Sequence, residues 1–154
     1  MNPFAQKSKL AAYQSIAAHG GVMGAGPHGL VLMLLDTAVE RLTAARGCIE
    51  RGETMRKAKL LHNCTRIVAE LRGCLNLTDG GALAQNLSDL YDYMIRRLLV
   101  ANTESRAAYL TEVLSLLGEI RGAWAAIEPE VRAPEVRPPE VRQSMARAPA
   151  APAA

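Results

Sequence analysis

The sequence predicts an all-α protein: an antiparallel up-down four-helix bundle preceded by a short N-terminal helical segment. Apolar residues make up 49% of the 154 residues and aromatic residues only 4%. The apolar set is dominated by 26 Ala and 20 Leu, which favour helices over strands. No proline lies between residues 28 and 128, as expected of helices, because an interior proline costs about 3 kcal/mol. Apolar residues there recur at alternating spacings of three and four, which is typical of helices packed nearly parallel or antiparallel.

Composition divides the chain into three parts. Residues 1–26 are predicted to be a mobile N-terminal segment, in which Lys9–Ala18 could form about two helical turns. Its last eight residues, HGGVMGAG, contain four glycines and read as a flexible linker. Residues 27–128 are predicted to form the bundle. Residues 129–154 repeat Pro-Glu-Val-Arg three times and read as a Pro-rich disordered tail.

The first two bundle helices are delimited by proline and glycine. The first is predicted over Pro27–Arg51, with proline in the first turn and Gly52 as a left-handed stop. The second is predicted over about Glu53–Leu77, before the Gly80-Gly81 pair. Their apolar stripes are Leu32, Leu35, Val39, Leu42 and Ile49 with Ala45 in the gap, and then Leu61, Cys64, Val68, Leu71 and Leu75.

The last two helices are separated by a short polar turn. The third is predicted over about Ala82–Ala101, followed by Asn102 as a left-handed cap and Thr103 as an N-cap. The fourth is predicted over about Glu104–Glu128. Loops this short force sequential helices to be antiparallel. The stripes are Leu83, Leu87, Leu90, Met94, Leu98 and Ala101, and then Leu110, Val113, Leu117, Ile120, Trp124 and Ile127.

The residues that usually carry chemistry are scattered. The net charge is +3 without a block of like charge, which argues against a nucleic-acid partner. No Glu-x-x-His, Cys-x-x-Cys or Gly-x-Ser-x-Gly occurs, so we expect no metal site, no cofactor and no enzyme activity. The cysteines, Cys48, Cys64 and Cys74, sit in apolar helical pattern and are predicted to be small core residues in a reducing compartment.

Membrane insertion is not expected. The longest unbroken apolar run is Leu30–Leu35, far shorter than the roughly 20 residues that span a bilayer. The N-terminus has no apolar stretch before a cleavage site. We therefore expect a cytoplasmic protein.

The predicted helices contain more apolar residues than one buried stripe per helix requires. Leu30–Leu35 is apolar in every direction, and the third helix carries a second stripe of Tyr91, Ile95 and Leu98/Leu99. These residues either extend the core or form an exposed groove of the kind that accepts amphipathic helices. Periodicity alone does not decide between the two.

Several motifs in consistent order resemble the FliS family, the cytosolic flagellin export chaperones. The most specific is NLSDLYDYMIRRLLVAN (Asn86–Asn102), similar to the family's third bundle helix. Around it lie Tyr13-Gln14, PHGLVLMLLD from Pro27, LNLTDGGALAQNL from Leu75, and Ala123-Trp124. The likeness covers about residues 10–128. Leu35 stands where the family usually has an aromatic residue, and the Pro-Glu-Val-Arg tail is not part of the family pattern.

This resemblance implies a chaperone that binds the disordered C-terminal segment of flagellin in grooves of the bundle. It would prevent premature polymerisation and deliver flagellin to the flagellar export gate, with the N-terminal segment as a movable cover. The implied residues fall into three groups: Tyr13 and Ile16 in the cover; Leu30, Leu34, Tyr91, Ile95 and Leu98 lining the groove; and Asn86, Tyr93, Arg96 and Arg97 as polar contacts.

Each assignment has a structural alternative. Tyr91 and Leu98 would serve equally as core, and Arg96 and Arg97 as a solvated face paired with nearby aspartates. Three other functions are alternatives: an enzyme built on a helical bundle, a structural bundle that self-associates into a homodimer, and an adaptor for another secreted protein. The family motifs favour the chaperone.

Overall fold

The computed structural model describes residues 26–127, which form four α-helices. These are α1 (Pro27–Arg51), α2 (Thr54–Gly73), α3 (Gly81–Glu104) and α4 (Ala107–Ala126). Residues 26–127 contain no strand, and the all-α four-helix prediction is confirmed. The predicted N-terminal helical segment and the Pro-rich tail lie outside the described residues.

The helices pack in a ring around one core. α1 and α3 each contact both α2 and α4. At one end, the Lys57 ammonium of early α2 donates to the Asn102 carbonyl of late α3 at 2.8 Å. At the other end, His28 of early α1 stacks on Trp124 of late α4. Each pairing joins the start of one helix to the end of its neighbour, so these neighbours run antiparallel.

Helix α1 has the predicted bounds. Pro27 occupies its first turn, and Gly52 ends it with φ +70°, a conformation that glycine adopts without steric cost. Its buried face differs from the predicted stripe, because Ala38 and Cys48 are buried while Val39 and Ile49 are half-buried. The small side chain of Ala38 permits close approach of α2, whose Cys64 sulfur lies 3.9 Å from the Ala38 carbonyl oxygen.

Helix α2 ends at Gly73, earlier than the predicted Leu77. The cause is Asn76, whose side-chain carbonyl accepts hydrogen bonds from the backbone N–H groups of Thr78 and Asp79 at 3.2 and 3.1 Å. Such a local turn competes with helix continuation. Leu75 still packs against the core from beyond the helix.

The turn between α3 and α4 lies farther along the chain than predicted. Asn102 and Thr103 are helical, and the left-handed residue is Ser105 with φ +53°. The Thr103 hydroxyl donates back to the Leu99 carbonyl at 3.1 Å and is not an N-cap. Lys57 bonds both the Asn102 carbonyl and the Ser105 hydroxyl, and this tertiary contact stabilises the longer α3. Helix α4 accordingly begins at Ala107, not Glu104.

The core contains residues from the predicted stripes of α2 and α4 and residues from the central parts of α1 and α3. Its buried members are Leu35, Ala38, Leu42, Ala45, Leu61, Cys64, Val68, Leu71, Tyr91, Met94, Leu98, Ala101, Leu110, Val113 and Leu117. Three predictions about core membership are wrong. Ile127 is 38% exposed, because α4 ends at Ala126, just before it. Leu83 is 77% exposed, whereas the next residue, Ala84, is 7% exposed and is the buried residue in the first turn of α3. Cys74 is exposed, because α2 has ended before it, whereas Cys48 and Cys64 are buried as predicted.

Candidate partner-binding surface

Three of the predicted groove residues lie in the interior of the bundle. Leu30, Tyr91 and Leu98 are 6%, 3% and 1% exposed. Burial, with a smaller contribution from Cys74, raises the pKa of the Tyr91 hydroxyl to about 12. In this arrangement the three side chains belong to the packed interior and do not line an open groove. Leu34, the remaining groove residue of α1, is half-buried and packs against the core.

Ile95 instead begins an apolar rim beside α2. Asp92 of α3 faces α2, because it pairs with Arg72. Ile95 and Leu99 follow Asp92 by three and seven residues and therefore lie on the same side of α3. Ile95 is half-buried against the core, while Leu99 is 56% exposed.

The facing side of α2 carries small side chains. Ala69, Thr65 and Ala58 precede Arg72 by three, seven and fourteen residues, so helical spacing places them on the side that faces α3. All three are half-buried, and the Thr65 hydroxyl donates to its own helix at Leu61 (2.9 Å). These three residues, together with Ile95 and Leu99, form what we term the α2–α3 groove. Short side chains on one wall and branched ones on the other suit the apolar face of an added helix.

The predicted polar contacts Tyr93 and Arg97 lie on the opposite side of α3, toward α4. The Tyr93 hydroxyl and the Arg97 guanidinium both bond the carboxylate of Glu112, the latter from Nη2 at 2.7 Å. Arg97 also lies over the Tyr109 ring, 4.6 Å from its centroid. We term Tyr93, Arg97, Tyr109 and Glu112 the α3–α4 cluster. A partner carboxylate reaching Arg97 would have to compete with Glu112.

The cluster shifts the titration of its members. Hydrogen bonds from Tyr93 and then Arg97 hold the pKa of Glu112 below its usual value. The hydrogen bond to Glu112 raises the pKa of Tyr93 and also that of Arg97. The carboxylate is therefore the form that the folded protein favours.

We expect Glu112→Gln to lower Tm at neutral pH and to lose this effect in acid. Because the pKa of Glu112 is lower in the folded state, its contribution is complete above the unfolded-state value, about 4.3, and disappears as pH falls through the folded value. Thermal unfolding from pH 7 to 3 would measure the difference. Glu119→Gln is the matched control, since Glu119 is an exposed α4 residue with no ion pair in residues 26–127. A Tm difference that stays constant with pH would contradict the assignment.

The other two polar candidates in the signature helix are exposed. Within the described part of the chain, Asn86 and Arg96 have no side-chain hydrogen bond or ion pair. The predicted pairing of Arg96 with an aspartate does not form, because Asp89 accepts from Gln85 and Asp92 pairs with Arg72. Tyr13 and Ile16, the predicted cover residues, lie outside the described residues.

Six residues of these two surfaces were not among the predicted site residues: Ala58, Thr65, Ala69, Leu99, Tyr109 and Glu112. The sequence analysis named Leu99 only together with Leu98, as one position of the second stripe. Its position one residue after Leu98 turns its side chain away from the core, and this offset could have identified it as a surface residue. Glu112 gave no sequence signal, because its contacts with Tyr93 and Arg97 depend on how α3 and α4 are aligned.

Two further features of residues 26–127 concern metal binding and membrane insertion. No group of three or more His, Cys, Asp or Glu side chains there is placed to hold a metal ion. Among the four described helices, none combines the length and the apolar character needed to cross a bilayer.

Comparison with known proteins gives a consistent result. Residues 9–131 match the family model described as flagellar protein FliS. The chain is 41% identical over 124 residues to the flagellar secretion chaperone FliS of Salmonella typhimurium, covering 80% of this chain and 92% of that protein. It is 34% identical over 124 residues to FliS of Vibrio cholerae, covering 80% and 91%. It is 40% identical over 115 residues to FliSB of Pseudomonas aeruginosa, covering 75% and 91%. The chain therefore belongs to the FliS family.

Proposed function

We propose that this chain is a cytoplasmic flagellar secretion chaperone that binds the C-terminal segment of flagellin. The observation that carries the proposal is the family match over residues 9–131, together with relatives that are named flagellar secretion chaperones. The chaperone keeps flagellin from polymerising before export and presents it to a component of the flagellar export gate. It acts by binding, without catalysis.

The α2–α3 groove supports this proposal chemically. A disordered client segment loses conformational entropy when it folds on its partner, and it recovers free energy by burying apolar side chains. Leu99 and Ile95 supply apolar area beside the short side chains of α2. A client helix would seat its apolar face there. Leu98 and Tyr91 belong to the core behind α3.

Polar residues around the signature helix would orient the client. Exposed Asn86 and Arg96 are available for its backbone or carboxylate groups, since arginine donates in a planar fork. Tyr93 and Arg97 are bound to Glu112 on the α4 side of α3, so we assign them to the α3–α4 cluster and not to contacts with a client in the α2–α3 groove. Tyr13 and Ile16 remain our candidates for the movable cover in residues 1–26.

The direct test is titration of the full chain with a peptide of the flagellin C-terminal segment. We expect a one-to-one complex by isothermal titration calorimetry and a gain of helical circular dichroism as the peptide folds. Absence of binding at micromolar concentrations would overturn the proposal. Sedimentation of the chain alone tests the alternative. A stable homodimer that persists when the flagellin peptide is added would favour a self-associating structural bundle.

Leu99→Glu should weaken peptide binding at least about tenfold, or about 1.4 kcal/mol, because it places a charge on the apolar rim. Val100→Glu is the matched control. Val100 is 36% exposed and follows Tyr93 by seven residues, so it lies on the side of α3 that faces α4. We expect Val100→Glu to retain the affinity. Equal losses in both variants would place the client elsewhere.

A further inference from the structure

A second groove lies between α1 and α2, on the side of α2 away from α3. At its base is Cys64 of α2, whose sulfur lies 3.9 Å from the Ala38 carbonyl oxygen of α1. Leu60 and Ile67 precede and follow Cys64 by four and three residues, so helical spacing places them on the same side of α2. Both are half-buried and pack against the core. The surface of α2 beside α1 is therefore apolar.

The α1 wall of this groove carries Leu34 and Arg41, which are both half-buried. They precede and follow Ala38 by four and three residues, so they lie on the side of α1 that faces α2. Burial raises the pKa of the Cys64 thiol to about 12, and the Arg41 guanidinium acts against this shift, which places its charge near that sulfur. We term Leu34, Arg41, Leu60 and Ile67 the α1–α2 groove.

Arg41 is a cation without a counter-charge in residues 26–127. It forms no ion pair or hydrogen bond there, and its Nε is buried without a partner. Its two Nη groups also lack partners but, unlike Nε, they are not buried. A buried polar group without a partner is costly, so Arg41 would gain from a ligand that brings hydrogen-bond acceptors to this groove.

The sequence around Arg41 explains why it is unpaired. The positions one turn before and after it on α1 hold one threonine and three alanines, which offer no carboxylate. Across the groove, α2 has five Lys or Arg residues and a single acidic one, Glu70. Glu70 follows Cys64 by six residues and so lies about 9 Å farther along α2. This excess of positive charge favours a negatively charged partner.

A guanidinium between apolar walls suits a carboxylate at the end of a peptide. Its planar fork can bind both oxygens of one carboxylate, and the leucines and isoleucine of the groove would contact an apolar side chain beside that group. The client proposed above is a C-terminal segment and therefore ends in a free α-carboxylate. Because this group is attached directly to the last residue, the charge and the side chain of that residue arrive together.

We propose that Arg41 binds the terminal carboxylate of the flagellin C-terminal segment, whose last residues lie in the α1–α2 groove. This contact rests on the proposed function and adds a second site for the same client. The α1–α2 and α2–α3 grooves flank α2, and a helix is about 10 Å wide. About three or four extended residues, at about 3.3 Å each, cross that width. One continuous segment can therefore fold in the α2–α3 groove and end at Arg41.

Amidation of the peptide tests the carboxylate without any change in the protein. The full chain is titrated by isothermal titration calorimetry with the flagellin C-terminal peptide as the free acid and as the C-terminal amide. We expect the amide to bind at least about tenfold more weakly, because it loses a charge-assisted hydrogen-bonded pair. The difference should persist when every aspartate and glutamate of the peptide is replaced by its amide, which excludes a side-chain carboxylate as the ligand of Arg41.

Arg41→Gln assigns the effect to one side chain. In this variant the two peptides should bind within about twofold of each other, whereas Arg41→Lys, which keeps the charge without the fork, should retain part of the difference. Far-UV circular dichroism should be unchanged, since Arg41 has no hydrogen bond or ion pair to lose in residues 26–127.

Arg46→Gln is the matched control. Arg46 is also half-buried on α1, but it follows Asp36 by ten residues, close to three helical turns, and so lies toward α4. That direction is set by the pairing of Asp36 with Arg121 of α4. The Arg46→Gln chain should keep the full difference between the acid and the amide.

The possible results separate the Arg41 contact from the proposed function. Equal affinity of the acid and amide peptides for the unchanged protein would overturn the contact and leave the chaperone function intact. A difference that survives Arg41→Gln would show that another group binds the carboxylate. If neither peptide binds at micromolar concentrations, the proposed function itself is wrong, and the assignment of Arg41 falls with it.

Discussion

Leu98→Ala is expected to lower the free energy of unfolding by about 2–5 kcal/mol, the range for large-to-small changes in a packed core. Leu98 is 1% exposed and belongs to the central cluster with Tyr91 and Met94. Alanine would leave a cavity between α3 and its neighbours that rigid helices cannot fully close. Urea denaturation followed by circular dichroism measures the loss as a lower midpoint.

Leu99→Ala is the matched control, because it makes the same chemical change at the next position. Leu99 is 56% exposed, so its truncation removes little buried area and should change stability by about 0.5 kcal/mol or less. The two variants should separate stability from binding, with Leu99→Ala weakening the client complex and Leu98→Ala weakening the fold. Similar losses of stability in both would contradict the burial that distinguishes them.

The helices were predictable because their signals are local. Proline at residue 27 and glycine at residue 52 delimit α1 without reference to the rest of the fold. The ends of α2 and α3 were not predictable in the same way. Asn76 ends α2 through a side-chain turn, and Lys57 stabilises the end of α3 from another helix 45 residues away. The Lys57 contact exists only once the bundle has formed, so the sequence near the end of α3 does not indicate it.

The sequence predicted that α3 carries the candidate surface, but it did not predict which side chains of α3 are exposed. The apolar surplus of α3 was visible as a second stripe, yet its members divide between core and surface. Tyr91 and Leu98 are buried, while Leu99 is exposed. Periodicity gives the relative directions of side chains around a helix, but it does not show which side chains a neighbouring helix covers. That coverage depends on how α2 and α4 are aligned against α3. The partnership of Glu112 with Arg97 was hidden for the same reason.

Trp124→Ala should cost about 2–3 kcal/mol in free energy of unfolding, at or below the lower end of the range for buried aromatic residues, because Trp124 is half-buried against the core. The indole stacks on the His28 ring at 4.9 Å between centroids, and its Nε1 donates to the His28 carbonyl at 3.0 Å. These contacts tie the start of α1 to the end of α4, so their loss should loosen the whole end of the bundle. Circular dichroism is the measurement, since the variant has no tryptophan fluorescence.

A double-mutant cycle with His28→Ala separates the terms within this contact. Each of the two hydrogen bonds joins a side chain of one residue to the backbone of the other, so each is lost in one single variant and does not enter the coupling. The coupling energy therefore reports the ring stacking, for which about 0.5–1.5 kcal/mol is expected. Trp124→Phe should keep much of the stacking while losing the Nε1 donor, and so should fall between the wild type and Trp124→Ala. Strict additivity of the His28 and Trp124 changes would show that the two rings, although stacked, do not stabilise each other.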